Sequence, residues 1–171
     1  MLETQLLGVT RFEGTKYPTV ILRHEDRVLF ISIGPFEAAA ISWGLGDDKP
    51  ARPMTHDLIL NILAGLRGKL KSITIYNLEN QTFFAYLLVE QYDANGQLEQ
   101  LLRIDTRPSD GIAIAVRAKC PIFVAESVME QAGQDFALFA AQLENAQEDD
   151  LDDEDEEEDE DDGPYRNDED L

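Results

Sequence analysis

Runs of β-branched and aromatic residues, separated by turn residues, recur along the chain and predict β-strands. The predicted strands are residues 2–12, 19–24, 27–33, 70–78, 82–91, 97–104 and 122–125. A short turn at Glu25-Asp26 and a tight turn at Asn95-Gly96 predict that the strands on either side pair as hairpins. Residues 83–89 are largely apolar on both faces, which indicates a strand in the interior of the sheet.

Segments with helical features lie between these strands. The predicted helices are residues 35–46, 55–67, 109–119, 127–132 and 135–147. Pro35 stands at the first helical position, and Gly68 is the expected C-cap of the second helix. The second helix carries one broad apolar stripe, whereas residues 112–116 make the third helix apolar nearly all round, as expected of a helix packed between other elements.

Strand runs interrupted by helices, with several hairpin connections, predict an α+β domain with a mixed, largely antiparallel β-sheet. A chain of 171 residues accommodates one such domain plus a tail. We expect residues 1–147 to form the domain. Residues 148–171 are dominated by Asp and Glu, which cannot bury apolar area, and they predict a disordered acidic tail.

The net charge of -21 is concentrated in this tail. Residues 148–171 hold 17 acidic residues and one arginine, so residues 1–147 carry a formal charge of only -5. A mildly acidic domain lacks the basic surface that normally grips a long stretch of nucleic acid. The tail itself has two interpretations: a solubilising segment, or a polyanion that captures a basic protein partner or competes with nucleic acid for the domain's own site.

The single cysteine, Cys120, excludes internal disulfides and any Cys-rich zinc site. Its apolar neighbours at residues 121–124 predict a small packing residue rather than a reactive thiol. The first residues show no signal-peptide pattern, and no apolar run approaches the ~18 residues needed to cross a bilayer. We therefore expect a cytoplasmic protein without a membrane partner.

Two polar segments share an unusual layout: Arg52-Pro53-Met54-Thr55-His56-Asp57 and Arg107-Pro108-Ser109-Asp110-Gly111. Each places an Arg-Pro pair ahead of a Thr or Ser that can cap a helix N-terminus, and each has an Asp in the first helical turn. Because polar clusters on loops of a rigid scaffold often carry function, we expect the two segments to meet, with His56 and Asp110 on one face of the protein.

Together with Gly34-Pro35-Phe36-Glu37-Ala38 and Pro121-Ile122-Phe123-Val124-Ala125-Glu126, these segments closely resemble the bifunctional nuclease domain family. The resemblance covers roughly residues 1–133. It implies a nuclease that acts on RNA and DNA with little sequence preference. The mildly acidic domain departs from what such an activity leads one to expect.

Phosphodiester cleavage requires a proton acceptor, donors for the phosphate and an acid for the leaving oxygen. His56 is the candidate general base or acid, and the candidate catalytic carboxylates Asp57, Asp110 and Glu37 could orient it or hold a divalent cation such as Mg or Mn. The candidate substrate-binding residues are Arg52, Thr55, Arg107, Ser109 and Arg117. Asp105 is a candidate orienting carboxylate. None of the spacings matches a recognised metal motif.

Each of these residues also has a structural interpretation. Thr55 and Ser109 could act only as N-caps, the carboxylates could simply complement helix dipoles, and the arginines could pair with Asp105 or Asp110 to fix loop geometry. At the level of the whole protein, two alternatives to a nuclease remain. One is a non-catalytic module that binds a protein or an anion through the Arg/His cluster and the acidic tail, and the other is a homo-oligomer in which the polar segments form a subunit contact.

Overall fold

The computed structural model describes residues 1–47 and 50–141 of the chain. The elements in chain order are β1 (Leu2–Thr10), β2 (Thr19–His24), β3 (Arg27–Ser32), α1 (Pro35–Leu45), α2 (Thr55–Gly65), β4 (Gly68–Glu79), β5 (Thr82–Tyr92), β6 (Leu98–Thr106), α3 (Pro108–Ala118), β7 (Ile122–Val124), α4 (Glu126–Ala132) and β8 (Gln134–Asp135). They belong to one compact unit, Met1–Phe136. The described part of a second unit, residues 137–141, is helical.

The strands form one sheet in the order β6-β5-β4-β7-β1-β2-β3-β8. Its pairs are antiparallel except β4 with β7, which run parallel because the chain returns to β4 through β5, β6 and α3. The predicted α+β class with a mixed, largely antiparallel sheet is confirmed. So is the turn at Asn95-Gly96, where Gly96 has a φ of 79° and the Asp93 carboxylate accepts the backbone N–H groups of Asn95 and Gln97, both at 2.8 Å.

Helix α3 lies at the centre of the apolar core. Seven of its eleven residues are buried, as the prediction of an all-round apolar helix requires. Four of them, residues 112–115, belong to the core cluster that also includes residues of β2, β3, β4 and β5 and Ile41 of α1. Helix α2 differs from α3 because none of its residues is buried. Its residues Ile59, Leu60 and Leu63 are partly buried and pack against the core. The two polar segments therefore begin one central helix and one peripheral helix.

Helix α3 approaches the sheet closely at Gly111. A Cβ atom placed there would lie 2.1 Å from Cδ1 of Ile73 in β4 and 3.1 Å from Cγ2 of Thr106. Ile73 is fully buried, so its side chain has no free space into which it could withdraw. The glycine that ends the second polar segment is thus required by packing between helix and sheet.

Both predicted N-caps are wrong. The N-cap residue of α2 is Met54 and that of α3 is Arg107, both with an extended backbone. Thr55 is therefore the first residue of α2, and Ser109 is the second residue of α3. Pro108 explains the shift in α3, because its fixed φ and missing N–H suit the first helical position. In α2, the stabilising acceptor is the carboxylate of Asp57, whose Oδ2 accepts the N–H of Met54 at 2.9 Å.

Two predicted helix boundaries are also wrong. Helix α2 ends at Gly65 and not near Gly68, because Arg67 takes a left-handed conformation with a φ of 55° and Gly68 already begins β4. The helix predicted from Asp135 starts later, because Asp135 pairs with Arg27 of β3 as part of β8. The remainder of that predicted helix, residues 142–147, lies outside the described residues, as do Asp48 and Lys49 and the predicted acidic tail, residues 148–171.

No helix within the described ranges is long and apolar enough to cross a membrane.

We expect the substitution Gly111→Ala to lower the free energy of unfolding by about 1–3 kcal/mol, because the new methyl group overpacks the contact with Ile73. Gly65→Ala is the matched control: it lies at the end of α2, and an added Cβ there meets nothing within 4 Å. That control should be neutral or stabilising by up to ~1 kcal/mol through helix propensity. Urea denaturation of the two variants measures both effects, and equal changes would contradict the packing argument.

Cys120 is partly buried and packs against the core, and burial raises the pKa of its thiol to about 11. A raised pKa means that the thiol stays protonated at neutral pH. We expect the folded protein to react with iodoacetamide at pH 8 at least about 50-fold more slowly than the urea-unfolded chain, with the rate rising towards pH 11. Mass spectrometry of the alkylated protein measures both rates, and a folded rate equal to the unfolded one would refute this assignment.

Candidate functional site

Arg117 of α3 ties the three helices α1, α2 and α3 together. Its side chain is only 8% exposed. Nε donates to Oδ1 of Asp57 in α2 at 2.9 Å, and Nη1 donates to two carbonyl oxygens, that of Ala40 in α1 at 2.9 Å and that of Ala113 in α3 at 2.7 Å. A buried guanidinium is tolerated only when its charge and its donors are matched in this way. The first turn of α2 is therefore fixed against both neighbouring helices.

Asp57 is held through both of its oxygens. Oδ1 accepts from Arg117, and Oδ2 accepts the backbone N–H of Met54 at the start of the same helix. A carboxylate with both oxygens engaged in charge-assisted hydrogen bonds has little freedom to rotate. The first polar segment thus enters α2 in one defined orientation.

The neighbouring residue, His56, begins a chain of polar contacts across the same three helices. Its Nε2 lies 3.3 Å from Oδ1 of Asp110 in α3, Oδ2 of Asp110 accepts from Nε of Arg107 at 2.9 Å, and Nη1 of Arg107 donates to Oε1 of Glu37 in α1 at 3.1 Å. We call these four residues the His56–Glu37 chain. The predicted proximity of His56 and Asp110 is confirmed. Asp110 and Arg117, seven residues apart and so on one side of α3, both contact α2.

The contact with Asp110 determines which nitrogen of His56 carries a proton. An ionised carboxylate only accepts hydrogen bonds, so Nε2 must be the donor, and in the neutral ring Nδ1 is then an open acceptor. Nδ1 has no hydrogen-bond partner among the described residues, and no buried side-chain nitrogen or oxygen in that part of the chain lacks one, so Nδ1 must reach solvent. The ring as a whole is 14% exposed. The ring is positioned through Nε2 and keeps an unused acceptor at Nδ1.

Arg107 is the exposed cation of the site. Its side chain is 67% exposed, and its hydrogen bonds with Asp110 and Glu37 raise the pKa of the guanidinium, so it stays charged. The two carboxylates engage Nε and one hydrogen of Nη1. Because a guanidinium has five N–H donors, the remaining hydrogens on Nη1 and Nη2 are available for an incoming anion.

Two cavities lie beside these polar contacts, one at the Asp57–Arg117 pair and the other at Glu37 and Arg107 of the His56–Glu37 chain. The larger, of about 420 Å³, is lined by Trp43, Gly44, Gly46, Pro50, Ala51, Arg52, Pro53, Asp57, Leu60, Asn61 and Arg117. The smaller, of about 280 Å³, is lined by Ile31, Ser32, Ile33, Gly34, Glu37, Gln81, Thr82, Phe83, Arg107, Pro108 and Ser109. Each cavity includes one arginine of the two polar segments that the sequence singled out, Arg52 in the larger and Arg107 in the smaller, and His56 lines neither.

Not every predicted site residue lies beside the His56–Glu37 chain. Arg52 and Thr55 are exposed near the start of α2, and Arg52 lines the larger cavity. Ser109 is buried at the edge of the smaller one. Asp105 lies elsewhere: its strand neighbour Thr106 faces Gly111, so Asp105 points to the other face of the sheet, where it lines a depression with Tyr86 and Arg103.

The carboxylates of the site are paired with arginine side chains. The carboxylates of Glu37, Asp57 and Asp110 each accept from an arginine, and Arg107 stands between two of them. Among the residues that the structure describes, no group of three or more His, Cys, Asp or Glu side chains could hold a metal ion. As the side chains stand, the positive charge beside the carboxylates is supplied by guanidinium groups.

Two residues in the larger cavity escaped prediction from the sequence. Trp43 of α1 is 52% exposed, and Asn61 of α2 also lines this cavity. Trp43 could have been noticed in the sequence, because it is the single tryptophan of the chain and precedes Gly44, which allows close packing against Val116. Asn61 gives no such signal, since asparagine on an exposed helix face is ordinary.

We expect Arg117→Met to lower the free energy of unfolding by about 3–5 kcal/mol, because Asp57 and two backbone carbonyls lose a buried charged partner. Arg107→Met is the matched control. Its guanidinium is largely exposed, so the same truncation should cost at most about 1 kcal/mol. Thermal or urea denaturation followed by circular dichroism measures both, and an equal loss in the two variants would show that Arg117 does not hold the helices together.

Comparison with known proteins places this architecture in a family. Two uncharacterized proteins of Mycobacterium tuberculosis, from two strains, are each 39% identical to the chain over 135 residues, which cover 78% of this chain and 77% of each relative. The matched part therefore includes most of both proteins. The sequence model of the bifunctional nuclease domain matches residues 20–137, which span all three helices of the site. The chain belongs to the bifunctional nuclease domain family.

Proposed function

We propose that this domain hydrolyses phosphodiester bonds of RNA and DNA with little dependence on base sequence. The observation that carries the proposal is the state of His56: Asp110 fixes its Nε2, and Nδ1 opens to solvent on the same polar chain as the exposed cation Arg107. A stable scaffold requires neither an open ring nitrogen nor a guanidinium with unused donors. Both serve the cleavage of a phosphodiester, the ring nitrogen as a proton acceptor and the guanidinium as a donor to the phosphate.

In this mechanism, Nδ1 of His56 accepts the proton of the attacking oxygen. Asp110 keeps the ring in the tautomer that leaves Nδ1 free and stabilises the imidazolium that forms, as a carboxylate does for a catalytic histidine in other hydrolases. The protonated ring can then return the proton to the leaving oxygen. His56 and Arg107 are the groups that touch the substrate, and Asp110 is a positioning residue.

Arg107 binds the phosphate through its remaining N–H groups, and Arg52 supplies a second cation in the larger cavity. Arg117 and Asp57 act as positioning residues, because the donors of Arg117 already serve Asp57 and two carbonyls. Glu37 holds Arg107 from the opposite side. Trp43 offers a face on which a base can stack, and stacking tolerates any base.

The charge of the cluster limits the kind of substrate. With His56 neutral, the carboxylates of Glu37, Asp57 and Asp110 outnumber the paired guanidiniums of Arg107 and Arg117 by one. Such a site engages one phosphate locally rather than tracking a long backbone, which needs many basic contacts. We therefore favour short or single-stranded stretches of RNA or DNA as substrates.

The test compares His56→Ala with His24→Ala on short fluorescent RNA and DNA, each assayed with added Mg²⁺, with Mn²⁺ and with a chelator. His24 is the matched control because it is the other histidine of the chain, and its Nδ1 contacts the carbonyl of Glu3 outside the site. We expect cleavage by the parent and by His24→Ala, and a loss of about 100-fold or more in His56→Ala, the usual contribution of a general base. Full activity in His56→Ala would remove His56 from the mechanism.

Binding is measured separately through the fluorescence of Trp43, the single tryptophan. Quenching of this fluorescence by an oligonucleotide, in the His56→Ala variant, should weaken steeply with added salt if phosphates are bound. Cleavage that disappears on chelation would show that a cation joins the site and displaces the arginine pairing described above. Quenching without cleavage under any condition would refute the hydrolase and support a non-catalytic anion-binding module.

A further inference from the structure

A cavity opens on the face of the sheet away from α3, at the point where β7 ends. The last residue of β7 that pairs with β4 is Val124, which lies beside Ile75. Strand β4 continues to Glu79, and no other described strand pairs with it on this side. The cavity has a volume of about 430 Å³, and we call it the Tyr76 notch. It is lined by Met1, Tyr76, Tyr86, Arg103, Asp105 and Ala125.

A β-bulge in β4 places Tyr76 in this notch. The register of β4 with β5 shifts between Ile75 and Asn77, so Tyr76 is an extra residue without a partner on β5. Bulges re-aim a side chain and are frequent beside functional sites. The side chain of Tyr76 is 42% exposed, and its ring centroid lies 6.4 Å from that of Phe84 and 5.6 Å from that of Tyr86. The notch therefore presents an aromatic ring that two neighbouring rings hold in place.

Arg103 and Asp105 bring opposite charges to the notch without neutralising each other. They are two residues apart on β6, so their side chains project from the same face of the sheet. Both are exposed, and neither has a hydrogen bond or an ion pair with any residue that the structure describes. The guanidinium of Arg103 lies 5.0 Å from the ring centroid of Tyr86, a contact that restricts its position. The donors of Arg103 and the oxygens of Asp105 are thus available to a ligand.

These groups discriminate among classes of ligand. A cation would normally bind over a tyrosine ring, but Arg103 already holds that position on Tyr86 and repels a second positive charge. A ligand that is only an anion meets the carboxylate of Asp105, which repels it in turn. The notch suits a ligand with a flat ring, an anionic group and N–H donors, and a nucleotide combines all three.

The spacing of the two charges favours a nucleotide over an aromatic amino acid. Residues 103 and 105 lie about 7 Å apart along the strand, and their side chains are not paired with each other. A free amino acid carries its carboxylate and its ammonium on one carbon, so both charges lie close together. In a nucleotide the sugar separates the phosphate from the donors of the base, which allows the two ends to reach Arg103 and Asp105 separately.

We propose that the Tyr76 notch binds a nucleotide, with the base stacked on Tyr76, the base N–H groups donating to Asp105 and the phosphate bound by Arg103. Stacking on an aromatic ring together with hydrogen bonds to the base edge is how proteins recognise unpaired bases. Guanine fits best, because its ring N–H and its amino group lie side by side and match the two oxygens of a carboxylate. The proposal does not depend on nuclease activity, and the notch lies across the sheet from the His56–Glu37 chain.

Calorimetric titration with GMP tests the stacking contact. Tyr76→Ala should weaken binding about five- to 150-fold, the range that one base stacked on an aromatic side chain contributes. Tyr76→Phe keeps the ring and should bind as the parent does. Tyr17→Ala is the matched control, because it removes a tyrosine that is 48% exposed and lies outside the notch. Unchanged binding in Tyr76→Ala would overturn the proposal.

Truncation of arginines locates the phosphate. Arg103→Met should weaken GMP binding at least tenfold, because a charge-assisted hydrogen bond to the phosphate is lost. Arg11→Met is the matched control, since Arg11 is also exposed and does not line the notch. Binding that is lost in Arg107→Met and kept in Arg103→Met would place the nucleotide on the other face of the sheet and overturn the proposal.

Related ligands identify the part of the nucleotide that is recognised and its source. Guanosine lacks the phosphate and ribose 5-phosphate lacks the base, so each should bind at least tenfold more weakly than GMP. Titrating His56→Ala with the dinucleotide GpU separates the two sources: binding as tight as that of GMP supports a nucleotide within a strand, and binding of GMP alone supports a free nucleotide. Equal binding of GMP and L-tryptophan, or no binding of either nucleotide at millimolar concentration, would overturn the proposal.

Discussion

The burial of one positive charge organises the helical layer of this domain. The guanidinium of Arg117 is out of solvent, so it must be surrounded by acceptors, and those acceptors come from α1, α2 and α3. An uncompensated charge in such a place costs several kcal/mol. The three helices can therefore shift relative to one another only if this set is broken. His56 precedes Asp57 in α2, and Asp110 lies two turns before Arg117 in α3, so the placement of the imidazole against its carboxylate follows from the same constraint.

The scaffold and the proposed chemistry share residues but differ in what they require. A carboxylate between a histidine and an arginine, as Asp110 is, would be satisfied by any arrangement that supplies hydrogen-bond donors to both of its oxygens. The scaffold does not explain why the histidine keeps one nitrogen towards solvent, or why the arginine beyond it is two-thirds exposed. Those two features are costly to hold in place and contribute little to stability. They are the part of the cluster that points to function.

Much of the fold could be predicted from the sequence because its signals are local. Strands β2, β3, β5 and β7, the hairpin at Asn95-Gly96 and the all-round apolar α3 all follow from patterns within a dozen residues. The meeting of His56 with Asp110 was predicted from the repeated layout of the two polar segments.

What the sequence alone did not reveal depends on distant parts of the chain. The pairing of Arg107 with Glu37 spans 70 residues, and the carbonyl acceptors of Arg117 belong to the backbone and have no side-chain signature. Asp105 was misplaced relative to the site because a strand alternates its faces, so a single residue decides the side on which a carboxylate lies. The N-caps lie one residue before the predicted position in α2 and two residues before it in α3, because Met54 and Arg107 take the place expected for Thr55 and Ser109.

The exposure of α2 affects the dynamics of the site. None of its residues is buried, and Leu58, Ile62 and Leu66 along its outer side are about half exposed or more. Its C-terminal end is joined to β5 by paired backbone and side-chain hydrogen bonds between Arg67 and Tyr92. Local opening costs least where buried apolar contacts are few, so amide exchange in this helix should proceed through a sub-global event that leaves α3 and the sheet folded. In that open form, Asp110 loses its histidine and Arg117 loses its carboxylate at the same moment. The helix that carries His56 is thus a cooperative unit of its own, and the population of its closed form sets an upper limit on the fraction of molecules in which the polar cluster is assembled.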